Sequence, residues 1–141
     1  MSGKTSLCWL LHLYQPPTQD LGVLRRINDE CYKPLFNMIE KHDNAKISLN
    51  INGVLIDMLL EHGMGESVEK LKDLVAENKV EILGTGKYHP ILPLIPKKEA
   101  YHQIRLNEET TRKVFGNGWK GQGFFPPEMA ISSKVAKIVK E

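Results

Sequence analysis

The sequence has few cysteines, no long hydrophobic run and almost no net charge. Two cysteines in 141 residues are too few for the disulfide framework of a small secreted domain. No stretch approaches the roughly 20 apolar residues that a membrane-spanning helix needs. The net charge of +2 comes from basic residues interleaved with acidic ones, so there is no basic stripe for nucleic acid. These absences argue against a disulfide scaffold and give no support to a membrane or nucleic-acid partner.

The two cysteines are predicted to be buried and reduced. Cys8 lies in an apolar run, and Cys31 lies in a segment of helical periodicity. Each is therefore interpreted as a small buried side chain rather than half of a disulfide. Free thiols are typical of a reducing compartment, which predicts a cytoplasmic protein.

Length and composition predict one α/β domain over residues 1–141. The 41% hydrophobic and 26% charged residues are typical of a soluble globular protein. A chain of this length buries roughly two-thirds of its unfolded surface around a single core.

Hydrophobic periodicity predicts strands that alternate with helices. Predicted strands are short apolar or alternating runs that end at proline or glycine, and they span residues 7–13, 45–51, 80–83 and 121–125. The first strand is nearly all apolar, so we expect it to be buried on both faces. Predicted helices span residues 24–42, 54–60 and 97–115, and others open at Ser67 and at Ser132 or Ser133. An apolar, proline-rich loop occupies residues 88–96.

This alternation predicts a parallel sheet with crossover helices, either open or closed into a barrel. A parallel sheet of four strands leaves one edge and part of its core bare. We therefore expect the first part of a larger barrel. The unpaired edge favours self-association.

The sequence indicates no cofactor and no metal. Residues 116–121 match Gly-x-Gly-x-x-Gly, but they follow a predicted helix and precede a predicted strand, the reverse of the dinucleotide-binding order. The five histidines form neither a His-x3-His nor a His-Glu-x-x-His arrangement.

Several polar residues share one placement, at the carboxyl ends of the predicted strands. In a parallel α/β sheet or barrel, binding and catalytic sites are built at this edge. Taken alone, a histidine here is equally compatible with a satisfied core residue, and an Asn-Gly pair with a simple turn. The candidates are His12, Gln15, Asn50, Asn52, Tyr88, His89 and Glu128.

Glu128 is the strongest single candidate. It lies between Pro127 and Met129, so its backbone is constrained and its surroundings are expected to be dry. A carboxylate in such a place is costly unless it is used or paired. The alternative to a functional role is a structural salt bridge.

Three segments together resemble a known family. They are residues 12–16 (HLYQP), 84–94 (GTGKYHPILPL) and 123–130 (GFFPPEMA). In order, they resemble the first three sequence regions of glycoside hydrolase family 57, the α-amylase and 4-α-glucanotransferase family. The likeness extends from the first strand to the last helix.

The resemblance implies an incomplete (β/α)7 barrel that cleaves or transfers α-glucosidic bonds of oligo- or polysaccharides with retention. It identifies Glu128 as the catalytic nucleophile. His12 and Gln15 match the first region, usually His-x-His-Gln-Pro, in which Tyr14 takes the place of the second histidine. Tyr88 and His89 match the second region, whose residues line the sugar site. With Asn52, assigned from its strand-end position, these residues are the predicted substrate contacts.

The family's acid/base aspartate belongs to a fourth region that is absent from this chain. Retaining hydrolysis needs two carboxyl groups about 5 to 5.5 Å apart. Glu99, Glu108 and Glu109 lie on a predicted crossover helix, which faces away from the strand ends. The chain by itself is therefore expected to be inactive.

Two other functions stay open. A metal-dependent polysaccharide deacetylase has a similar barrel, but it needs an aspartate pair after the first strand, where Leu13-Tyr14-Gln15 supplies no acid. A barrel of this family that has lost catalysis and only binds glycan is the third hypothesis.

Overall fold

A computed structural model describes residues 7–140 and contains a parallel sheet. Its strands, in the spatial order β1-β2-β3, are β1 (Trp9–Leu13), β2 (Ile47–Ile51) and β3 (Val80–Leu83). His12 is in register with Asn50, and Asn50 with Leu83. The carboxyl ends of the strands therefore share one edge of the sheet, and the predicted parallel α/β class is confirmed.

Six α-helices connect or follow the strands within residues 7–140. They are α1 (Leu21–Ile27), α2 (Lys33–Lys41), α3 (Gly53–Glu61), α4 (Gly65–Ala76), α5 (Lys97–Phe115) and α6 (Ser133–Lys140). Helix α5 has the predicted bounds, and the Ser132 hydroxyl accepts a hydrogen bond from the Val135 amide at the start of α6. No helix in this part of the chain is long and apolar enough to cross a membrane.

The main core lies between one face of the sheet and the helices. Leu49 and Ile51 of β2 are buried there together with Leu55 and Leu59 of α3. A second, smaller core joins α5, α6 and the loop after β3, and it is built from Leu92, Ala100, Ile104, Val135 and Ile138. Helices α3 and α5 pack together, and both contact the loop that follows β3 through the side chain of Lys87.

Strand β1 is not buried on both faces, so that prediction is wrong. The side chains of Trp9 and Leu10 are 53% and 42% exposed. β1 is an edge strand with β2 on one side, and its Leu10 lies on the face that also carries Ser48 and the exposed Glu81. That face is exposed at the level of Leu10, whereas Asn50 and Leu83, nearer the carboxyl ends of the strands, are buried on it.

The predicted strand 121–125 forms only one parallel bridge, between Gly84 and Phe124. The Gly84 amide donates to the Gly123 carbonyl and the Phe125 amide donates to the Gly84 carbonyl, each at 2.8 Å. A Cβ at Gly123 would lie 2.5 Å from Leu83 Cδ2, so a larger residue here would have to displace the end of the Leu83 side chain. The segment runs parallel to β3, as predicted. Its ladder is shorter than predicted because the Ile82 carbonyl of β3 already accepts a hydrogen bond from the Trp119 indole, at 3.1 Å.

A π-helical turn, Asn28–Tyr32, separates α1 from α2 and changes which face is buried. The wider turn gives a four-residue spacing, so Leu24, Asn28, Tyr32 and Phe36 face the core. Helical spacing in the sequence predicts one buried face that includes Leu24, Cys31, Met38 and Ile39; of these, Leu24 and Ile39 are buried, whereas Cys31 and Met38 are exposed. Cys8 is exposed as well, near the amino end of the edge strand, so the prediction of two buried cysteines is wrong.

We expect Phe36→Ala to lower the free energy of unfolding by about 3–5 kcal/mol, because the ring is 1% exposed and its removal leaves a cavity. Met38→Ala, at a side chain 45% exposed, is the matched control, with an expected loss of about 1 kcal/mol or less. Urea unfolding of both variants measures the difference. Equal losses would contradict the shift of the buried face by the π turn.

Candidate active site

Glu128 lies in a tight 3-10 turn, Pro127–Met129, that follows the bridge at Phe124. Its backbone is left-handed, with φ 55° and ψ 24°, and Met129 also has a positive φ of 54°. Amides of Met129 and Ala130 close the turn by donating to the carbonyls of Pro126 and Pro127, each at 3.0 Å. Left-handed backbone at residues other than glycine costs about 1 kcal/mol or more and concentrates at functional sites.

His89 has the same left-handed backbone, with φ 56°, in the loop after β3. Its amide donates to the Gly86 carbonyl at 3.3 Å, and that carbonyl also accepts from Asn52 Nδ2 at 2.6 Å. Asn52 is fully buried, so in this structure it supports the loop from beneath. The loop therefore presents His89 at the edge where the strands end.

Three rings cluster at this edge. The centroids of Tyr14 and His89 are 4.3 Å apart with 18° between the ring planes, and those of His12 and His89 are 5.0 Å apart. Nδ1 of His12 lies 2.6 Å from Oδ1 of Asn50. An amide oxygen only accepts, so this hydrogen bond uses Nδ1–H of His12 as the donor and leaves Nε2 outside it. His12 itself is exposed, which makes the alternative of a buried core histidine wrong.

The carboxylate of Glu128 approaches this cluster through His89. Oε1 of Glu128 lies 3.8 Å from Nε2 of His89, whose side chain is 9% exposed. Burial, with a smaller contribution from the charge of His12, lowers the pKa of His89, and the carboxylate opposes that shift. The environment therefore favours a neutral imidazole beside the carboxylate.

The surroundings of Glu128 are not dry, contrary to the prediction. Its side chain is 66% exposed, although the His89 ring lies 3.8 Å from Oε1. Within residues 7–140, no lysine or arginine lies within salt-bridge distance of this carboxylate; its neighbour is the imidazole of His89, at 3.8 Å.

A polar network that sequence reasoning missed anchors the loop after β3. Nζ of Lys87 lies 2.6 Å from Oδ2 of Asp57 on α3 and donates to the Thr110 hydroxyl on α5 at 2.9 Å. The Gly53 amide donates to Oδ1 of the buried Asn107 at 2.8 Å, which ties α3 to α5. The sequence offered one indication of this network, because Lys87 lies inside segment 84–94, which resembles the family, two residues before His89.

The other candidates Gln15 and Tyr88 make hydrogen bonds outside the contact between His89 and Glu128. Nε2 of Gln15 donates to the Tyr32 hydroxyl at 3.4 Å, a long contact to the π turn. The Tyr88 side chain is 45% exposed, and its amide donates to Oε1 of Gln103 at 3.1 Å. The structure thus brings together His12, His89 and Glu128, and adds Tyr14, which the sequence had marked only as a departure from a motif.

The described residues contain no group of three or more His, Cys, Asp or Glu side chains placed to hold a metal ion. The two histidines of the cluster have one carboxylate near them, that of Glu128. The donor set that a metal-dependent deacetylase requires is therefore not assembled by residues 7–140.

Parallel strands with crossover helices, and a histidine-carboxylate cluster at their carboxyl ends, are an arrangement typical of (β/α)-barrel proteins, which build their sites at this edge. The profile of Glycosyl hydrolase family 57 matches residues 12–141. The chain belongs to this family, as the three motifs indicated.

Individual relatives agree with this assignment. An alpha-amylase of Pyrococcus horikoshii is 29% identical over 131 residues, which is 93% of this chain and 20% of the relative. Alpha-amylase 1 of Dictyoglomus thermophilum is 34% identical over 111 residues, or 79% of this chain and 16% of the relative. The chain thus spans about a fifth of the length of these relatives.

The crystal structure of 4-alpha-glucanotransferase from Thermococcus litoralis has a similar fold. It superposes with a TM-score of 0.86 at 22% identity, covering 94% of this chain and 20% of the other. The likeness confirms the predicted fold class, parallel strands and crossover helices that form the first part of an incomplete (β/α)7 barrel.

Proposed function

We propose that this chain supplies the nucleophile-bearing part of a retaining glycoside hydrolase or glucanotransferase that acts on α-glucans. The observation that carries the proposal is the carboxylate of Glu128, 3.8 Å from His89 at the carboxyl edge of a parallel sheet. Membership of the family, with relatives described as alpha-amylase and 4-alpha-glucanotransferase, supports the substrate class.

In the proposed reaction, Glu128 attacks the anomeric carbon and forms a glycosyl ester. The bond to the leaving oxygen breaks, and that oxygen takes a proton from an acid outside this chain. Water or a sugar hydroxyl then attacks the same carbon and releases Glu128, with the acid now acting as base. The exposed carboxylate and its left-handed turn suit a nucleophile that must reach a sugar ring.

The neutral imidazole of His89 suits sugar binding, because one ring nitrogen donates and the other accepts from hydroxyl groups. His12 offers Nε2 at the same edge, and the exposed ring of Tyr88 offers an apolar face for a sugar. Gln15 is proposed to contact the sugar from the end of β1. Asn52, fully buried, is proposed to act through the Gly86 carbonyl that it holds.

We extend the proposal to the setting of the chain. Residues 1–141 form one α/β unit of a larger catalytic barrel, and the exposed edge β1 is a site for pairing with further strands or a second copy. The two exposed, free cysteines support a reducing, cytoplasmic compartment, since exposed thiols oxidise elsewhere.

The test is covalent trapping on the 141-residue chain. An activated, fluorinated α-glucosyl fluoride needs no protonated leaving group, so Glu128 alone is expected to displace fluoride and remain as a stable glycosyl ester. Mass spectrometry of the digested protein locates the ester on the peptide that carries Glu128.

Glu128→Gln is expected to abolish the label, whereas Glu109→Gln, at an exposed glutamate of α5, is the matched control and keeps it. An ester on another carboxylate would refute the nucleophile assignment. Sugar-induced NMR shifts at His89 without any ester would favour the glycan-binding hypothesis instead.

A further inference from the structure

Tyr14 makes a ring contact that the proposed reaction does not use. Its ring stacks on that of His89, with centroids 4.3 Å apart and 18° between the planes. His12 lies beside the pair, 5.0 Å from His89 and 6.4 Å from Tyr14, so the three centroids form a compact triangle. Tyr14 also packs against the main core, which gives its ring a fixed place.

The orientation of the His89 ring decides where Nε2 points. Rotation of an imidazole about its second side-chain torsion is broad, so the ring needs a neighbour to hold its plane. The stack with Tyr14 supplies a flat apolar surface for this purpose. The left-handed backbone of His89 fixes the position of its Cβ, and the stack with Tyr14 fixes the plane of its ring.

We propose that Tyr14 is a positioning residue, which holds the plane of the His89 ring so that Nε2 is directed at the carboxylate of Glu128. The contact joins the segment after β1 to the loop after β3, and through His89 to the turn that carries Glu128. The inference rests on the proposed function in one respect, which is the nucleophilic role of Glu128. The contacts themselves do not depend on it.

The titration of His89 reports this geometry. The groups that face it are His12 from β1, Tyr14 from the following segment and Glu128 from the 3-10 turn. Burial raises the pKa of Tyr14, which keeps its hydroxyl neutral while histidines titrate. A protonated His12 lowers the pKa of His89 and the Glu128 carboxylate raises it. The effect of Glu128 falls as the ring turns away from it.

The experiment measures the pKa of His89 by NMR in the 141-residue chain, with Glu128 and with Glu128→Gln. In the parent chain, Glu128→Gln is expected to lower the pKa of His89 further, because the favourable negative charge is removed. Tyr14→Phe keeps the stack, so the decrease in the His89 pKa on Glu128→Gln is expected to stay the same. In Tyr14→Ala this decrease is expected to be largely lost.

The control is Tyr101→Ala, at a tyrosine of α5 that is 40% exposed and contacts Arg105, and it is expected to leave the effect intact. Circular dichroism checks that each variant folds. If Tyr14→Ala does not fold, Tyr14→Leu is used in its place, because leucine keeps apolar volume against the core but has no flat ring. The proposal is overturned if Glu128→Gln changes the pKa of His89 as much in Tyr14→Ala or Tyr14→Leu as in the parent chain. It is also overturned if that change is lost in Tyr14→Phe. No turnover is measured, so this outcome is distinct from a failure of the trapping experiment.

Discussion

Glu128→Gln is expected to reduce turnover at least about a thousandfold in a complete barrel that carries this chain. The amide keeps the size and shape of the side chain, but its nitrogen and oxygen do not form the glycosyl ester. Because the Glu128 side chain is 66% exposed and supports no core contact, the free energy of unfolding is expected to stay within about 0.5 kcal/mol of the parent.

The experiment uses a hybrid protein as the complete barrel. In this hybrid, residues 12–141 of this chain replace the matching fifth of the Thermococcus litoralis 4-alpha-glucanotransferase. The TM-score of 0.86 between the two chains supports this exchange. Turnover of maltooligosaccharides is compared among the parent hybrid, Glu128→Gln and the control Glu109→Gln. A Glu128→Gln hybrid that keeps activity close to the parent would show that the nucleophile lies elsewhere.

The 141-residue chain by itself is expected to have no turnover of maltooligosaccharides. Within the described residues, the ring cluster holds the carboxylate of Glu128 and no second carboxyl group to protonate the leaving oxygen. Exposure of Glu128 adds a second deficit, since a hydrated site does not hold the sugar ring in a distorted form. Both deficits raise the free energy of the transition state.

An activated aryl α-glucoside separates these two deficits, because its good leaving group removes most of the need for the acid. Slow release of the aryl group, abolished by Glu128→Gln, is the expected result for a nucleophile without its acid. Turnover of the unactivated oligosaccharide that is lost in Glu128→Gln would contradict the expectation, and would mean that residues 1–141 contain all of the catalytic groups.

The strands and most helices were predictable because their signals are local. The alternation of Ile47, Leu49 and Ile51 predicted β2, and the 19-residue helix α5 was predicted with its observed bounds. The buried face of α1 and α2 was not, because the π turn changes the spacing from the usual 3.6 residues. That turn buries Asn28, whose Oδ1 accepts from the Ser67 hydroxyl at 2.6 Å, a contact between residues 39 positions apart.

The candidate site was predictable in its members but not in its contacts. Strand ends and motifs identified His12, His89 and Glu128, which the structure brings together. The stack of Tyr14 and the anchoring of the loop by Lys87 were missed. Each depends on a partner distant in the chain, and no periodicity reports such a partner.

The sequence by itself determined the parallel α/β class, the family and the strand ends at which the polar residues lie, because periodicity and short motifs are properties of neighbouring residues. The tertiary structure alone decided that Glu128 faces His89, that burial lowers the pKa of that imidazole, and that Tyr14 covers its face. Distances and burial arise from packing between segments far apart in the chain. The chemistry of the carboxylate depends on those two quantities.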